Sequence, residues 1–312
     1  MDGEQIRGSA EEWAARRRAI AASRSWSGPD GPRPRWHHGV FSLLLALLGR
    51  MLRLTPWHRR GLRNALDLQL TELEFTLAGL PPAFDGYRIL HLSDTHLDIL
   101  PAVADAAAPL LDGLEVDLLA LTGDVHGLRR HALTLSVEPL ARVLNGVRVR
   151  GPRLAVLGNH DPVEMVEALE RLGVETLVNR SVTVQREGQS VRVTGLDDVH
   201  NFYVPAARAA LEERHDGFRI ALVHSGEMAD HAAAAGVGLY LCGHTHGGQI
   251  CLPGGRIVFT QLVRCRHAAA GVWRQGEMIG YTSPGLGVSP PTVRFNSRGG
   301  AALITLRCGV RN

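Results

Sequence analysis

From Leu68 onward, short apolar runs alternate with alanine-rich stretches along the chain. The segments YRILHLS, VDLLALTG and RLAVLG are continuous apolar runs of strand length, and each is followed by a stretch with helical spacing: AVADAAAPLLDGL, LTLSVEPLARVLN and VEMVEALERLG. Repeated strand-helix-strand units of this kind predict a largely parallel sheet covered by helices. Past Thr176 two alternating runs, SVTVQREG and SVRVTGL, predict a hairpin. The earlier rhythm then returns with PAARAALEER, FRIALVHS, EMADHAAAAG and GLYLCG. Further strands are read in GRIVFT, GVWRQGEMIGYTS and GAALITLR. The pattern therefore predicts an α/β domain over residues 65–312, with two sheets packed together and helices outside.

The first 64 residues read differently. Residues 1–35 hold one short helical stretch, AEEWAARRRAIAAS, followed by GPDGPRPR. Low hydrophobicity with Pro and Gly punctuation predicts a mobile basic arm. Residues 36–64 contain an apolar run, Gly39 to Gly49, that ends at Arg50. It is too short to span a bilayer unaided. A signal peptide is disfavoured because the run begins late, follows acidic residues and lacks a small-residue cleavage site. The favoured reading is a tilted or interfacial membrane helix bracketed by Trp36 and Trp57, with Arg50 and Arg53 reaching to the headgroups. The alternative is a helix packed on the protein's own body. On the membrane reading the arm supplies local concentration and no chemistry, so a chain lacking Met1 to Arg60 should still cleave small soluble substrates.

Charge sharpens this division. Residues 1–64 carry 12 arginines against 5 acidic residues, a balance of +7, which leaves 22 against 26 in the remainder, a balance of −4. The basic character belongs to the N-terminal region, which suits an anionic membrane on the cytoplasmic side, approached peripherally or through the helical tether. The slightly acidic body disfavours nucleic acid as a partner. All 34 basic side chains are arginine, a sign of coding bias and so weak evidence of phosphate recognition. Cys242, Cys251, Cys265 and Cys308 have no paired spacing and read as thiols of a reducing compartment.

The candidate chemistry stands where the apolar runs end. Asp94 and His96 follow YRILHLS, Asp124 follows LLALTG, Asn159 and His160 follow LAVLG, His224 follows IALV, and His244 and His246 follow LYLCG. In open α/β sheets ligands bind at the carboxyl edge of the strands, so five strands deliver oxygen and imidazole donors to one place. Seven donors, Asp94, His96, Asp124, Asn159, His224, His244 and His246, are too many for one tetrahedral ion and suit two ions of higher coordination. Two divalent cations against two carboxylates leave a balance of +2, which a bridging hydroxide and one phosphoryl oxyanion would neutralise.

The series DTH, GD, GNHD, VHS and GHTHGGQ, in this order over roughly Leu80 to Gly285, resembles the metal-binding motifs of the calcineurin-like metallophosphoesterases. The longer stretches GHTHGGQICLP and YTSPGLGVSPPTVRF are similar to the bacterial membrane-associated branch, whose relatives include phosphodiesterases and UDP-2,3-diacylglucosamine pyrophosphohydrolases. The resemblance implies a four-layer α/β/β/α sandwich of two mixed sheets and a dinuclear centre of Mn, Fe or Zn. It implies hydrolysis of a phosphodiester or pyrophosphate bond, in a soluble or lipid-linked substrate, by attack of a metal-bridging hydroxide. It places Asp94, His96, Asp124 and His246 on one ion and Asp124, Asn159, His224 and His244 on the other. His160 matches the histidine that protonates the leaving group, with Asp161 read either as its orienter or as a helix N-cap ahead of Pro162. The sequence departs from the branch near its final strand, where SRGGAA replaces a Pro-Glu pair, and GDVHGLRR lacks the signature of the protein Ser/Thr phosphatases.

Other residues carry two readings each. His126 either faces the substrate or is structural, and Arg129 and Arg130 either hold a second phosphate or are solvated. Asp197 and Asp198 either flank the site or serve a turn. His91 alternates out of phase with the ligands and is expected to be a core histidine. The competing functions are a non-catalytic scaffold of the same fold, a phosphodiesterase of soluble nucleotides and a nuclease. The complete donor set argues against the scaffold, and the acidic body against the nuclease.

Overall fold

The computed structural model describes residues 3–23, 25–34 and 36–309, without the side chains of residues 3–9, 34, 36–38 and 40–42. Trp36, expected to mark one end of a membrane helix, is among those whose side chains fall outside the described set.

Two six-stranded mixed sheets form the body. In the first, the strands run in the order Gln69–Ala78, Gly300–Gly309, Arg88–Leu92, Leu118–Thr122, Arg153–Val156 and Glu175–Thr176. The last four are parallel, and Gly300–Gly309 is antiparallel to Arg88–Leu92 but parallel to Gln69–Ala78. In the second, the predicted hairpin Arg180–Arg186 and Gln189–Gly195 leads into Arg219–Leu222, Leu239–Cys242 and Met278–Thr282, which run parallel, and Gly271–Gln275 closes the edge antiparallel.

The period-two alternation of the strands sorts their side chains into three cores. Ile89, Ala120, Leu154 and Ile304 of the first sheet pack with Val193, Ile220, Leu222, Leu239 and Leu241 of the second. Leu90, Leu92, Leu119 and Leu121 turn the other way, onto the helices Ala102–Leu111, Thr134–Asn145 and Met165–Glu170. Ala221, Tyr240 and Cys242 likewise meet Pro205–Glu212 and Ala229–Ala234. Helices thus cover the outer faces of two sheets packed face to face, the α/β/β/α sandwich. Within GRIVFT only Arg256–Ile257 pairs as a strand, with Cys251–Leu252. The final strand forms in full despite SRGGAA, and all four cysteines are free thiols.

The N-terminal region departs from expectation. Residues 3–22 form a 20-residue helix, α1 (Gly3–Ala22), and a hairpin follows, β1 (Ser25–Gly28) with β2 (Gly31–Pro34). These elements are bonded to the body: Ser27 N donates to Asn201 O (2.9 Å), Tyr203 N donates to Ser27 O (2.9 Å), and Arg17 is 3% exposed. A mobile arm does not describe them, because polar side chains of α1 and β2 find buried carboxylates that the local sequence does not contain. The next segment divides into α2 (Trp36–Arg53) and α3 (Pro56–Leu66). The break falls at Pro56, whose ring is accommodated in the first turn of a helix but not in its interior.

Candidate metal centre

Three of the five donor strands, Arg88–Leu92, Leu118–Thr122 and Leu239–Cys242, end in the same local event, a left-handed backbone at the donor itself. Asp94, His96, Asp124, His244 and His246 all adopt positive φ, between 38° and 73°. Non-glycine residues in this region are uncommon, and their concentration at one edge is the kind of local strain found at functional sites. Glycine supplies the room. A Cβ on Gly243 would overlap Ser93 Oγ and Asp94 Oδ2, and one on Gly158 would overlap Asp124 Oδ1.

The seven predicted donors come together. Asp94, His96 and His246 form one cluster of ligand atoms, and Asp94, Asp124 and His224 another, each within 4.8 Å. His246 Nε2 lies 3.5 Å from Asp94 Oδ1. Asp124 Oδ2 lies 3.6 Å from His96 Nε2 and 3.3 Å from His224 Nε2. Asn159 Oδ1 is 3.1 Å and His244 Nδ1 3.3 Å from the same His224 nitrogen. Donors around a cation at about 2.0–2.2 Å stand roughly 3 Å from their neighbours, so these separations suit ligands gathered about ions.

Backbone carbonyls set the imidazoles. His224 Nδ1 donates to Thr122 O (2.8 Å) and His96 Nδ1 to His126 O (3.2 Å), which turns both Nε2 atoms inward. Asp94 Oδ2 accepts from Ser93 Oγ (2.6 Å) and His244 N (2.9 Å). Its Oδ1 and His96 Nε2 are buried without a hydrogen-bond partner. Buried polar atoms left this way are costly unless something binds them, and a cation would. The electrostatics agree. Burial holds His96 down at about 4 and keeps His244 and His246 well below their ordinary value, so these rings are neutral and ready to ligate. Burial raises Asp94 to about 6; burial also pulls hardest on His224, downward, but the charge and hydrogen bond of Asp124, with the charges of Asp94 and Asp198, together hold it up at about 10. Carboxylates compete here for positive charge.

Other candidates resolve. His160 is half-buried, its Nδ1 donating to Gly127 O (2.8 Å) and its ring 5.4 Å from that of His96. Asp161 neither orients that ring nor caps a helix: its carboxylate accepts from the backbone N–H groups of Asp124 (2.8 Å), His126 (2.9 Å) and Gly158 (2.9 Å), tying two donor loops together. The ring of His126 is buried away from the cluster, with Nδ1 2.9 Å from Ser136 Oγ and 3.9 Å from Asp98, so its substrate-facing reading is corrected to a structural one. Arg129 and Arg130 are exposed side chains outside the cluster. Asp198 serves the turn, accepting from His200 N (3.1 Å) and Asn201 N (2.7 Å), whereas Asp197 pairs with Arg17. His91 is the expected core histidine, 2.8 Å from Thr122 Oγ1.

Residues that sequence reasoning passed over stand close behind the donors. Arg294 is fully buried against carbonyls of the His246 loop, and the His200 ring lies 4.3 Å from that of His244. Arg17 had one available signal, its spacing four residues from Trp13 on a helix.

A hydrolase of phosphoric esters that relies on bound metal is the class this sandwich and its donor edge define. The chain belongs to the calcineurin-like phosphoesterase family, which it matches over residues 87–248, just over half its length. It is similar to an uncharacterized metallophosphoesterase, YkoQ, of Bacillus subtilis (28% identity, covering 83% of this chain and 97% of that protein). It is similar also to the phosphodiesterase YaeI of Escherichia coli (27% identity, 70% and 82%). A transmembrane protein with a metallophosphoesterase domain from Bos taurus is 29% identical over 61% of this chain and 47% of its own. Among solved structures, a 5'-nucleotidase precursor from Thermus thermophilus superposes with a TM-score of 0.40 at 15% identity, over 70% of this chain and 54% of that one.

Proposed function

We propose that the protein is a dinuclear metal-dependent phosphoesterase that hydrolyses a phosphodiester or pyrophosphate bond at the surface of an anionic membrane, on its cytoplasmic side. The observation that carries the dinuclear reading is the position of Asp124 Oδ2 between His96 Nε2 and His224 Nε2, at 3.6 and 3.3 Å. One carboxylate oxygen thus lies within reach of a histidine of each cluster. Asp94, His96, Asp124 and His246 would hold one divalent ion, of Mn, Fe or Zn, and Asp124, Asn159, His224 and His244 the second. Bound there, the pair supplies an activated water and a counter-charge for the phosphoryl group.

The chain's own groups do the rest. Asp94 and Asp124 bring two negative charges, so a loaded site keeps a positive balance that favours a phosphoryl oxyanion. His160 is fixed through Nδ1 to Gly127 O, which leaves Nε2 to carry a proton to the departing oxygen. The Escherichia coli relative named a phosphodiesterase supports the diester reading.

The membrane reading rests on α2 and the residues after it. Leu43, Leu44, Leu47, Leu48 and Met51 recur on one stripe of α2 and are exposed, as is Leu54 just beyond its end, at 89%. Arg50, Arg53, Arg59 and Arg60 are exposed beside them. No described helix is long and apolar enough to cross a membrane, and an apolar stripe with flanking arginines is the composition of an interfacial helix. The relatives named as transmembrane proteins support the same setting.

The test is metal analysis of the purified protein, with hydrolysis of a bis-aryl phosphate, a nucleotide diphosphate-sugar and a lipid-linked pyrophosphate before and after chelation. Two ions per chain and activity that chelation removes and Mn²⁺ restores are expected. Full hydrolysis in chelator, or a single ion at saturating metal, would overturn the dinuclear reading.

A further inference from the structure

Residues outside the family match reach the back of the donor loops. α1 docks through Trp13 and Arg17, one helical turn apart. Trp13 Nε1 donates to Asp197 Oδ2 (2.6 Å), and Arg17 Nη1 pairs with the other oxygen of the same carboxylate. Arg17 Nη2 donates to two carbonyls, Gly158 O (2.6 Å) and Asp161 O (3.0 Å). These carbonyls flank Asn159 and His160, one the proposed ligand and the other the proposed acid. The guanidinium also lies 4.1 Å above the Phe202 ring. Arg17 and Asp197 are each about 3% exposed.

The hairpin makes a parallel contact on the other flank. Arg33 of β2 pairs with Glu227 (2.8 Å), whose side chain is fully buried, and donates to His200 O (3.1 Å), beside the His244 ring. Two buried carboxylates of the second sheet's loops are thereby met by arginines of the first 34 residues, Asp197 by Arg17 and Glu227 by Arg33 together with His200 of the body (3.3 Å). A buried ion pair that loses one partner leaves an uncompensated charge, so removing Arg17 would leave Asp197 buried without a cation.

We propose that α1 and the β1–β2 hairpin are a part of the catalytic unit and that Arg17 is a positioning residue for the Asn159–His160 segment. The planar guanidinium holds the carbonyl before Asn159 and the one after His160, while Asp197 fixes the guanidinium from behind. This is the geometry of a fork with fixed donors, which a lysine ammonium cannot reproduce. The proposal deepens the function argued above and rests on its assignment of Asn159 and His160. It adds that the N-terminal region acts on chemistry as well as on location.

The test compares wild type with Arg17→Ala, Arg17→Lys and Trp13→Phe, all as full chains. Backbone amide exchange over residues 158–163 is measured in the metal-free proteins, Mn²⁺ binding by titration, and kcat and KM on a bis-aryl phosphate. Arg17→Lys keeps the charge beside Asp197 but loses the fork, so exchange of that segment should accelerate about tenfold or more while the strands keep wild-type protection. Mn²⁺ affinity should weaken and kcat fall about tenfold or more with KM little changed. Arg17→Ala should show the same with lower stability, and Trp13→Phe a smaller effect in the same direction. Wild-type exchange at 158–163 in both Arg17 variants would overturn the proposal. A wild-type chain that lacks metal-dependent hydrolysis but shows the accelerated exchange on substitution would instead overturn the catalytic reading and leave the positioning contact standing.

Discussion

Arg294 donates through Nη1 to the backbone carbonyl of His246 at 3.1 Å, from a position with no solvent exposure. Its Nη2 reaches the carbonyls of Pro284 (2.6 Å), Gly285 (3.2 Å) and Gly287 (2.8 Å). Burial lowers the guanidinium to about 10, still charged at neutral pH. Its backbone is in turn held by α3, with Arg294 N donating to Gly61 O (3.0 Å) and Asn64 Nδ2 donating to Arg294 O (2.9 Å). α3, the helix that follows the leucine-bearing α2, is thereby joined to a donor loop.

Arg294→Met is expected to leave the carbonyls of Pro284 and Gly287 without a donor, while His246 O and Gly285 O keep the N–H groups of Gln249 (3.1 Å) and Gly300 (3.0 Å). Each unsatisfied buried group costs about 1–3 kcal/mol, so a loss of about 2 kcal/mol or more is expected. Urea unfolding of the metal-free protein measures it. A change below about 1 kcal/mol would show that water replaces the guanidinium.

Asp124→Asn should abolish turnover and leave the fold, because the amide keeps the shape but removes one of the two carboxylate charges and the shared oxygen's anionic character. Metal content and hydrolysis at saturating Mn²⁺ are the measurements. Two retained ions with near-wild-type rates would refute the shared-ligand assignment.

His160→Ala should slow esters with poor leaving groups by roughly 10²-fold or more, and activated aryl esters far less. The comparison of kcat across a leaving-group series decides between a proton donor and a spacer. Equal losses along the series indicate the latter.

Acid should destabilise the metal-free protein partly through His91. Burial lowers its pKa to about 3, below the ordinary imidazole value near 6.5. The unfolded chain therefore binds a proton that the folded chain refuses between these values. Stability from this group is intact above about pH 6.5 and falls as pH drops toward 3, by about 1.4 kcal/mol for each unit inside the window. Urea unfolding at pH 7 and pH 5 should show a shallower acid loss in His91→Gln than in wild type. Parallel pH slopes would show that His91 is not the source.

The α2 stripe predicts attachment to anionic vesicles that weakens, without vanishing, as salt rises. Leu44→Glu with Leu47→Glu places charge on the exposed apolar face of a helix that supplies none of the candidate donors. Co-sedimentation should be lost while hydrolysis of a soluble bis-aryl phosphate is kept and that of a lipid-embedded substrate falls. Wild-type protein that stays in the supernatant at low salt would assign the stripe to a protein partner.

The donor set was legible in the sequence because its determinants are local. A strand is written as an apolar run, and the residue types at five such ends already point to cation binding, so the gathering of the seven candidate donors and a body of two packed sheets with helices outside followed from order and spacing. Side-chain orientation beyond the strand end was not legible in the same way. Asp161 looked like a cap or an orienter, yet its carboxylate binds backbone N–H groups of Asp124 and His126, whose proximity depends on two parallel strands meeting. His126 shares the spacing of a ligand, but a left-handed turn at Asp124 sends its ring to Ser136 instead. The largest difference lies in the first 34 residues, where weakly amphipathic helix and Pro-Gly punctuation describe a solvated arm. What holds them is the meeting of Arg17 with Asp197, 180 residues away, and of Arg33 with Glu227. A chain segment carries no mark of a distant carboxylate that needs its charge; only the packing of the two sheets face to face creates the buried anion, and with it the reason for α1 to be ordered.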